Sequence, residues 1–178
     1  MTQADDWERR ISAVWSMAAS RSEAETVAAI DALVSERSAD DGAALFEWAS
    51  VLDFAGREDK AEPYYRQALA AGLDQYRRPR AVIQLASTVR NLGRPHESIA
   101  ILRAEIDTSG PDGLDDARSA FLALALADAG QPAEAVIALL DAIGGHLTDY
   151  RRAVSFYTGE LRDRYRPPGP HQPGGPPV

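Results

Sequence analysis

Three glycines at equal intervals constrain the fold of this 178-residue chain more than any other feature. Gly56, Gly93 and Gly130 lie 37 residues apart, and each follows an apolar stretch with helical spacing. A polar or proline-containing restart and a second apolar stretch come after each glycine. Glycine readily adopts the left-handed conformation that ends a helix, and proline fits the first turn of the next helix. The spacing therefore predicts three antiparallel helix pairs, over residues 42–71, 79–107 and 115–144.

Alanines recur at fixed positions inside these repeats, and alanine is the commonest residue of the chain. Alanine has the highest helix propensity of all residues, and strands are depleted in it. Where two helices cross closely, a methyl group fits and a larger side chain does not. We therefore expect an all-α fold in which certain alanines mark the helix contacts. These are Ala49, Ala61, Ala86, Ala123 and Ala135.

The repeats resemble those of the tetratricopeptide repeat family. In that family a large and a small residue lie on the first helix, and alanine, an aromatic residue and alanine lie on the second. The first unit has Trp48, Ala49, Leu52, Gly56, Ala61, Tyr65 and Ala68 at these positions. The third has Leu122, Ala123, Leu126, Gly130, Ala135, Leu139 and Ala142. The second unit is weaker, because it has Ser98, Leu102 and Glu105 on its second helix.

The resemblance implies a right-handed superhelix of antiparallel helix pairs, about nine helices in all, although the usual repeat has 34 residues. Stacked repeats need terminal helices that cover their exposed faces. We expect a single domain over residues 1–165, with a degenerate N-terminal hairpin at 5–37 and a capping helix at 147–164. Residues 166–178 are rich in proline and glycine and are predicted to form a disordered tail. The capping helix shows one apolar seam, formed by Leu147, Tyr150, Val154, Tyr157 and Leu161.

Charge and composition exclude several classes of protein. The net charge is −8, from 19 basic and 27 acidic residues, which disfavours a nucleic-acid partner. The chain has no cysteine, so it forms neither disulfides nor cysteine-based metal sites. No apolar run is long enough to span a bilayer, and the N-terminus does not have the pattern of a secretory signal. These features predict a cytoplasmic protein with no membrane partner.

No common catalytic constellation is present in the sequence. Glycine-rich phosphate loops and nucleophile elbows are absent, and the three histidines lie apart from one another without metal-ligand spacing. The paired aspartates at 5–6, 40–41 and 115–116 fall where helices begin, and carboxylates there stabilise the helix N-terminus. We therefore expect a protein that is not an enzyme and that needs neither a metal nor a cofactor.

The resemblance implies a concave groove lined by the first helix of each repeat. The candidate groove residues are Phe46, Ser50, Asp53, Arg80, Ile83, Ser87, Arg90 and Leu124. The carboxylate clamp of chaperone-binding members is absent at these positions. Arg80 and Arg90 belong to a basic segment, 74–103, and we expect them to hold an acidic group of a peptide or helix. The alternative is that they pair with acidic residues within the fold, namely Asp53, Asp128 or Glu97.

These observations predict a non-catalytic interaction module or scaffold whose partner is a protein or peptide. The alternative is a regulatory or sensor subunit that binds a small ligand or a signal peptide. The chain is also similar to short stand-alone bacterial members of the family, some of which act as dimers. Phe156 and Tyr165 lie off the apolar seam, where they are either incidental surface aromatics or contacts of a homodimer.

Overall fold

The computed structural model describes residues 3–108, 110 and 112–165. Within these ranges the chain is all-α, with nine α-helices, one short 3₁₀ turn and no strand. The helices are α1 (Gln3–Met17), α2 (Glu23–Val34), α3 (Gly42–Phe54), α4 (Glu58–Ala71), α5 (Arg77–Asn91), α6 (Pro95–Thr108), α7 (Asp115–Asp128), α8 (Pro132–Gly144) and α9 (Arg151–Arg164). Consecutive helices pack on each other as antiparallel neighbours from α1 to α9. The predicted fold class is confirmed, and the predicted tail, 166–178, lies outside the described residues.

All three repeat glycines end a helix in the same conformation. Their φ angles are 61° at Gly56, 79° at Gly93 and 74° at Gly130. At the first of them the Gly56 N–H donates to the Asp53 carbonyl, and the Arg57 N–H donates to the Leu52 carbonyl, both at 2.9 Å. The other two turns repeat these two bonds at the same spacing. This pair of bonds is the Schellman motif, and it confirms the helix stops predicted from the 37-residue spacing.

Polar residues cap the helix starts. The Asp41 side chain accepts a hydrogen bond from the Ala44 N–H at 3.0 Å, at the beginning of α3. Ser22 and Glu25 form a reciprocal capping box at the start of α2. Asp115 and Asp116 lie in the first turn of α7. The interpretation of these aspartates as helix-terminus residues is therefore supported by their positions.

The core consists of three buried clusters that follow one another along the array. The first joins α1, α2 and α3, the second joins α3, α4 and α5, and the third extends from α5 to α8. The five alanines predicted at helix contacts are all buried, with exposed fractions of 0% for Ala49, Ala61 and Ala86, 4% for Ala123 and 7% for Ala135. Alanine thus sits where neighbouring helices touch, as predicted.

Close packing also requires glycine at the start of α3. A Cβ on Gly42 would overlap the carbonyl oxygen of Gly72, which follows the end of α4. The two ends of this helix pair therefore lie against each other, and no other residue type would fit at Gly42 without displacing the backbone.

The C-terminal helix differs from its prediction. It begins at Arg151 and not at residue 147, because Tyr150 adopts a left-handed conformation with φ 61° just before it. Thr158 is the buried residue of α9, flanked by half-buried Val154 and Leu161. Tyr150 is 83% exposed and Tyr157 is 65% exposed, so their assignment to the packed seam is wrong.

No helix of the described residues is long and apolar enough to cross a membrane.

Candidate functional site

The first helices of the N-terminal hairpin and of the first two repeats enclose a groove of about 790 Å³. Residues of α1, α3 and α5 form most of its walls, and α4 contributes Glu58 and Tyr65. Grooves of this size are typical of ligand-binding sites. The groove is thus lined mainly by first helices, and it lies toward the N-terminal end of the array.

The structure brings together four of the eight predicted groove residues. Phe46, Ser50, Asp53 and Arg80 line the groove. The other four are not among its lining residues: Ile83 is 6% exposed in the core, Ser87 is half-buried, Leu124 is 48% exposed on α7, and Arg90 contacts Asp128. The third repeat contributes nothing to this groove, because the described lining residues end at Asn91 on α5.

A hydrogen-bond network forms the floor of the groove. Tyr65 is fully buried, and its hydroxyl donates to Gln84 Oε1 at 2.6 Å. Ser50 Oγ donates to the same oxygen at 3.0 Å. Asp53 Oδ2 lies 3.4 Å from the Tyr65 hydroxyl. Burial raises the pKa of the Asp53 carboxyl, and the nearby charge of Glu58 raises it further.

Arg77 is a buried cation, 5% exposed, and its charge is balanced within the fold. Its guanidinium forms ion pairs with Glu8, Glu47 and Asp74. Glu47, itself 4% exposed, also accepts a hydrogen bond at 2.7 Å from Trp15 Nε1. Burial raises the pKa of Glu47, while Trp15 and Arg77 oppose that shift. This cluster ties α1, α3 and α5 together at one end of the groove.

Arg80 and Arg90 have different surroundings. The Arg80 guanidinium lies over the Tyr76 ring, 3.7 Å from its centroid, and donates to the Tyr76 carbonyl at 2.7 Å. Arg90 Nε lies 3.5 Å from Asp128, which confirms one of the internal pairings considered for it. Among the described residues, Arg80 has no carboxylate at ion-pair distance, whereas the other five arginines of the basic segment each have one. Those five are Arg77, Arg78, Arg90, Arg94 and Arg103.

Aromatic side chains of α1 and α3 also line the groove. Trp15 of α1 contacts Phe54 of α3 edge-to-face, with ring centroids 6.1 Å apart. Phe54 is 49% exposed, so much of its ring faces solvent at the groove. Large exposed apolar side chains beside polar groups are typical of binding surfaces.

Sequence reasoning missed the residues that α1 brings to the groove. Glu8, Ile11, Ser12 and Trp15 line it, although this helix was expected only to cover the end of the array. The sequence predicted a terminal hairpin at 5–37, but it contained no information on which neighbour the first helix of that hairpin would face. Glu47 and Arg77 were also missed, because their pairing depends on helix packing and not on a local motif.

Within the described part of the chain, no group of three or more histidine, cysteine, aspartate or glutamate side chains could hold a metal ion. The family model of the tetratricopeptide repeat matches residues 42–161. None of the curated proteins compared with the chain matches it significantly. The match covers more than half of the sequence and coincides with the three glycine-stopped helix pairs and α9. The chain therefore belongs to the tetratricopeptide repeat family.

Proposed function

We propose that this protein is a non-catalytic interaction module that binds a peptide or a helix of a partner protein in the groove between α1, α3 and α5. Repeats of this family are in general protein interaction modules, which supports a protein partner. The observation that carries the proposal is the groove itself, about 790 Å³ in volume and lined by exposed aromatic as well as polar side chains. An amphipathic segment would bury its apolar side against Phe54 and Trp15.

The polar residues of the groove support binding in preference to catalysis. Tyr65, Ser50 and Gln84 bond to one another, and Arg77 is held by three carboxylates. Such mutual pairing fixes the positions of the walls. Catalysis would need a base or nucleophile with a partner that activates it, and none of these contacts has that form.

Arg80 is the groove cation that an acidic group of the partner would contact. It lines the groove, and its neighbours are the ring and carbonyl of Tyr76, so its charge is not balanced by a carboxylate among the described residues. Arg90 is held by Asp128 and does not line the groove. We therefore assign the acidic contact to Arg80 alone. A cytoplasmic location and a homodimer stay predictions of the sequence.

Selection from a random peptide display library, with the full chain as bait, tests the proposal. Selected peptides are then measured by fluorescence anisotropy against the wild type and Phe54→Ala. We expect Phe54→Ala to weaken binding about tenfold, because aromatic side chains that a partner buries are among the largest contributors to binding affinity. Tyr157→Ala is the matched control, since it removes an aromatic ring that is 65% exposed on α9, away from the groove. A library that yields no binder would contradict the proposal. So would selected peptides that bind the wild type and Phe54→Ala equally well.

A further inference from the structure

The two ends of the groove differ in charge. Glu47 contacts Arg77 and Ser50 contacts Gln84, so α3 and α5 run parallel and their C-termini lie at the same end. At the opposite end, where α5 begins, the groove contains Arg77 and Arg80. Its lining therefore has cations at one end only, since no described lining residue near the helix C-termini is basic.

The end at the helix C-termini contains two carboxylates and an aromatic ring. Asp53 and Phe54 form the last residues of α3, and Glu58 is the first residue of α4. Asn91, the last residue of α5, lies beside Glu58, with Nδ2 and Oε1 3.5 Å apart. We call these four residues the acidic end of the groove.

The two arginines adjacent in sequence to the acidic end pair with other carboxylates. Arg57, which precedes Glu58, lies 3.8 Å from Glu23 of α2. Arg90, which precedes Asn91, is held by Asp128. Asp53 is half-buried, and its described partners are the hydroxyls of Tyr65 and Thr88. The negative charge of Asp53 and Glu58 is thus balanced by no ion pair among the described residues.

Three further features of this end favour a cation. The C-termini of α3 and α5 place the negative ends of two helix dipoles there. Phe54 is an exposed aromatic residue, and cations bind to the faces of aromatic rings. The described groove lining contains more acidic than basic side chains: the acidic ones are Glu8, Glu47, Asp53 and Glu58, and the basic ones are Arg77 and Arg80. Arg77 lies between Glu8 and Glu47, so among the described lining residues the carboxylates without an ion pair are those of the acidic end.

We propose that the acidic end binds a basic side chain, a guanidinium or an ammonium group, of the partner peptide, between the carboxylates of Asp53 and Glu58 and against the ring of Phe54. This inference rests on the proposed function of the groove and names the chemistry that the groove recognises. With Arg80 at the other end, it also sets an orientation: the acidic group of the peptide lies toward the N-terminus of α5, and its basic side chain lies toward the C-terminus.

Three pools of short fluorescein-labelled peptides test the inference. All three contain leucine, phenylalanine, alanine and serine in random order. The basic pool also contains lysine and arginine, the acidic pool also contains aspartate and glutamate, and the neutral pool contains no charged residue. Binding to the full chain is measured by anisotropy at low and at high salt. We expect the basic pool to bind about tenfold more tightly than the neutral pool, because charge-assisted hydrogen bonds are the strong ones. We also expect high salt to reduce that preference.

Variants then identify the residues responsible. Asp53→Asn with Glu58→Gln should lower the affinity for the basic pool to that for the neutral pool. Glu58→Gln is measured alone as well, since it leaves the contacts of Asp53 with Tyr65 and Thr88 intact. Asp59→Asn is the matched control, because it removes one carboxylate from the same helical turn, and this exposed residue does not line the groove.

The outcomes separate this inference from the proposed function. Binding of the neutral pool without a preference for the basic pool would overturn the inference alone. A basic preference that survives both Glu58→Gln and the double substitution would also overturn it, since the cation would then bind elsewhere. Failure of all three pools to bind would contradict the proposed function and the inference together.

Discussion

Leu102 and Leu139 occupy the same position in consecutive helix pairs, nine residues after the turn glycine, yet only Leu102 is buried. Its exposed fraction is 0%, that of Tyr65 at the same position in the first pair is also 0%, and that of Leu139 is 43%. The second helices of the first two pairs, α4 and α6, pack between their own first helix and that of the next pair. The second helix of the last pair, α8, is instead followed by α9.

The difference arises from the way α9 lies on α8. Only Thr158 of α9 is buried, and only Ala135 of α8. An apolar stripe of α8 stays exposed, formed by Val136, Leu139 and Ile143 at 46%, 43% and 47%. The position of a residue within its repeat therefore predicts burial only where a further repeat packs over it. The sequence of one repeat does not show whether such a neighbour follows.

Truncation of the two leucines gives the largest expected contrast. Leu102→Ala should lower the free energy of unfolding by about 3 kcal/mol, because it opens a cavity in a fully buried site. Leu139→Ala makes the same chemical change at the same repeat position and should cost less than about 1 kcal/mol. Chemical denaturation followed by circular dichroism measures both. Equal losses would mean that the stripe on α8 is covered in solution.

Enlargement of a small residue gives the second contrast. Ala68 and Ala142 share another repeat position, and Ala68 is fully buried whereas Ala142 is half-buried. Ala68→Leu should overpack the core and cost about 1–3 kcal/mol, while Ala142→Leu should change stability by no more than about 0.5 kcal/mol. Thermal unfolding of the two variants in parallel provides the measurement. A tolerated Ala68→Leu would break the distinction between the covered and the open helix pairs.

Two buried arginines, Arg77 in α5 and Arg118 in α7, give the third and smallest contrast, which is a difference in titration. The hydrogen bond from Arg118 lowers the pKa of Asp112 from its ordinary value of 3.8 to about 2. Burial raises the pKa of Glu47 above its ordinary 4.5, although Arg77 opposes the shift. Carboxyl carbon NMR should therefore show Asp112 titrating below, and Glu47 above, the ordinary values of their residue types.

The two shifts have opposite consequences for stability. The contribution of Asp112 is present above pH 3.8 and is lost as the pH falls through about 2. The contribution of Glu47 is present below pH 4.5 and is lost as the pH rises through its raised pKa. The free energy of unfolding of Asp112→Asn and of Glu47→Gln is measured as a function of pH. Each substitution should remove the pH dependence that comes from its own carboxyl and leave the other one unchanged. If Asp112 and Glu47 titrated at the same pH, the expected difference between the surroundings of Arg118 and those of Arg77 would be contradicted.

The turns and helix contacts of the fold could be predicted because their signals are local and periodic. A glycine that ends a helix needs only a positive φ angle at its own position. An alanine that recurs every 37 residues marks the same helix contact in each pair. The candidate site was predictable only in part. Arg77 and Glu8 are 69 residues apart in sequence, and nothing in either segment indicates that they meet.

The distribution of charge in the groove was the least predictable feature. Sequence spacing placed Arg80 and Arg90 in one basic segment, but the packing of α5 against α7 brings Arg90 to Asp128 and leaves Arg80 beside Tyr76. Likewise, Glu58 follows a turn glycine and belongs to the second helix of its pair, yet it lines the groove. Which charges remain without a partner is decided by tertiary packing, and a repeat pattern does not encode it.

The three glycine turns form the same pair of hydrogen bonds, so the repeats have equivalent boundaries. A gene duplication that copied the segment between two turn glycines would insert a unit already provided with its own stop and restart. Each such copy would add one first helix and one second helix to the array. The length of the array could thus change in evolution in whole steps of 37 residues, with no new type of turn.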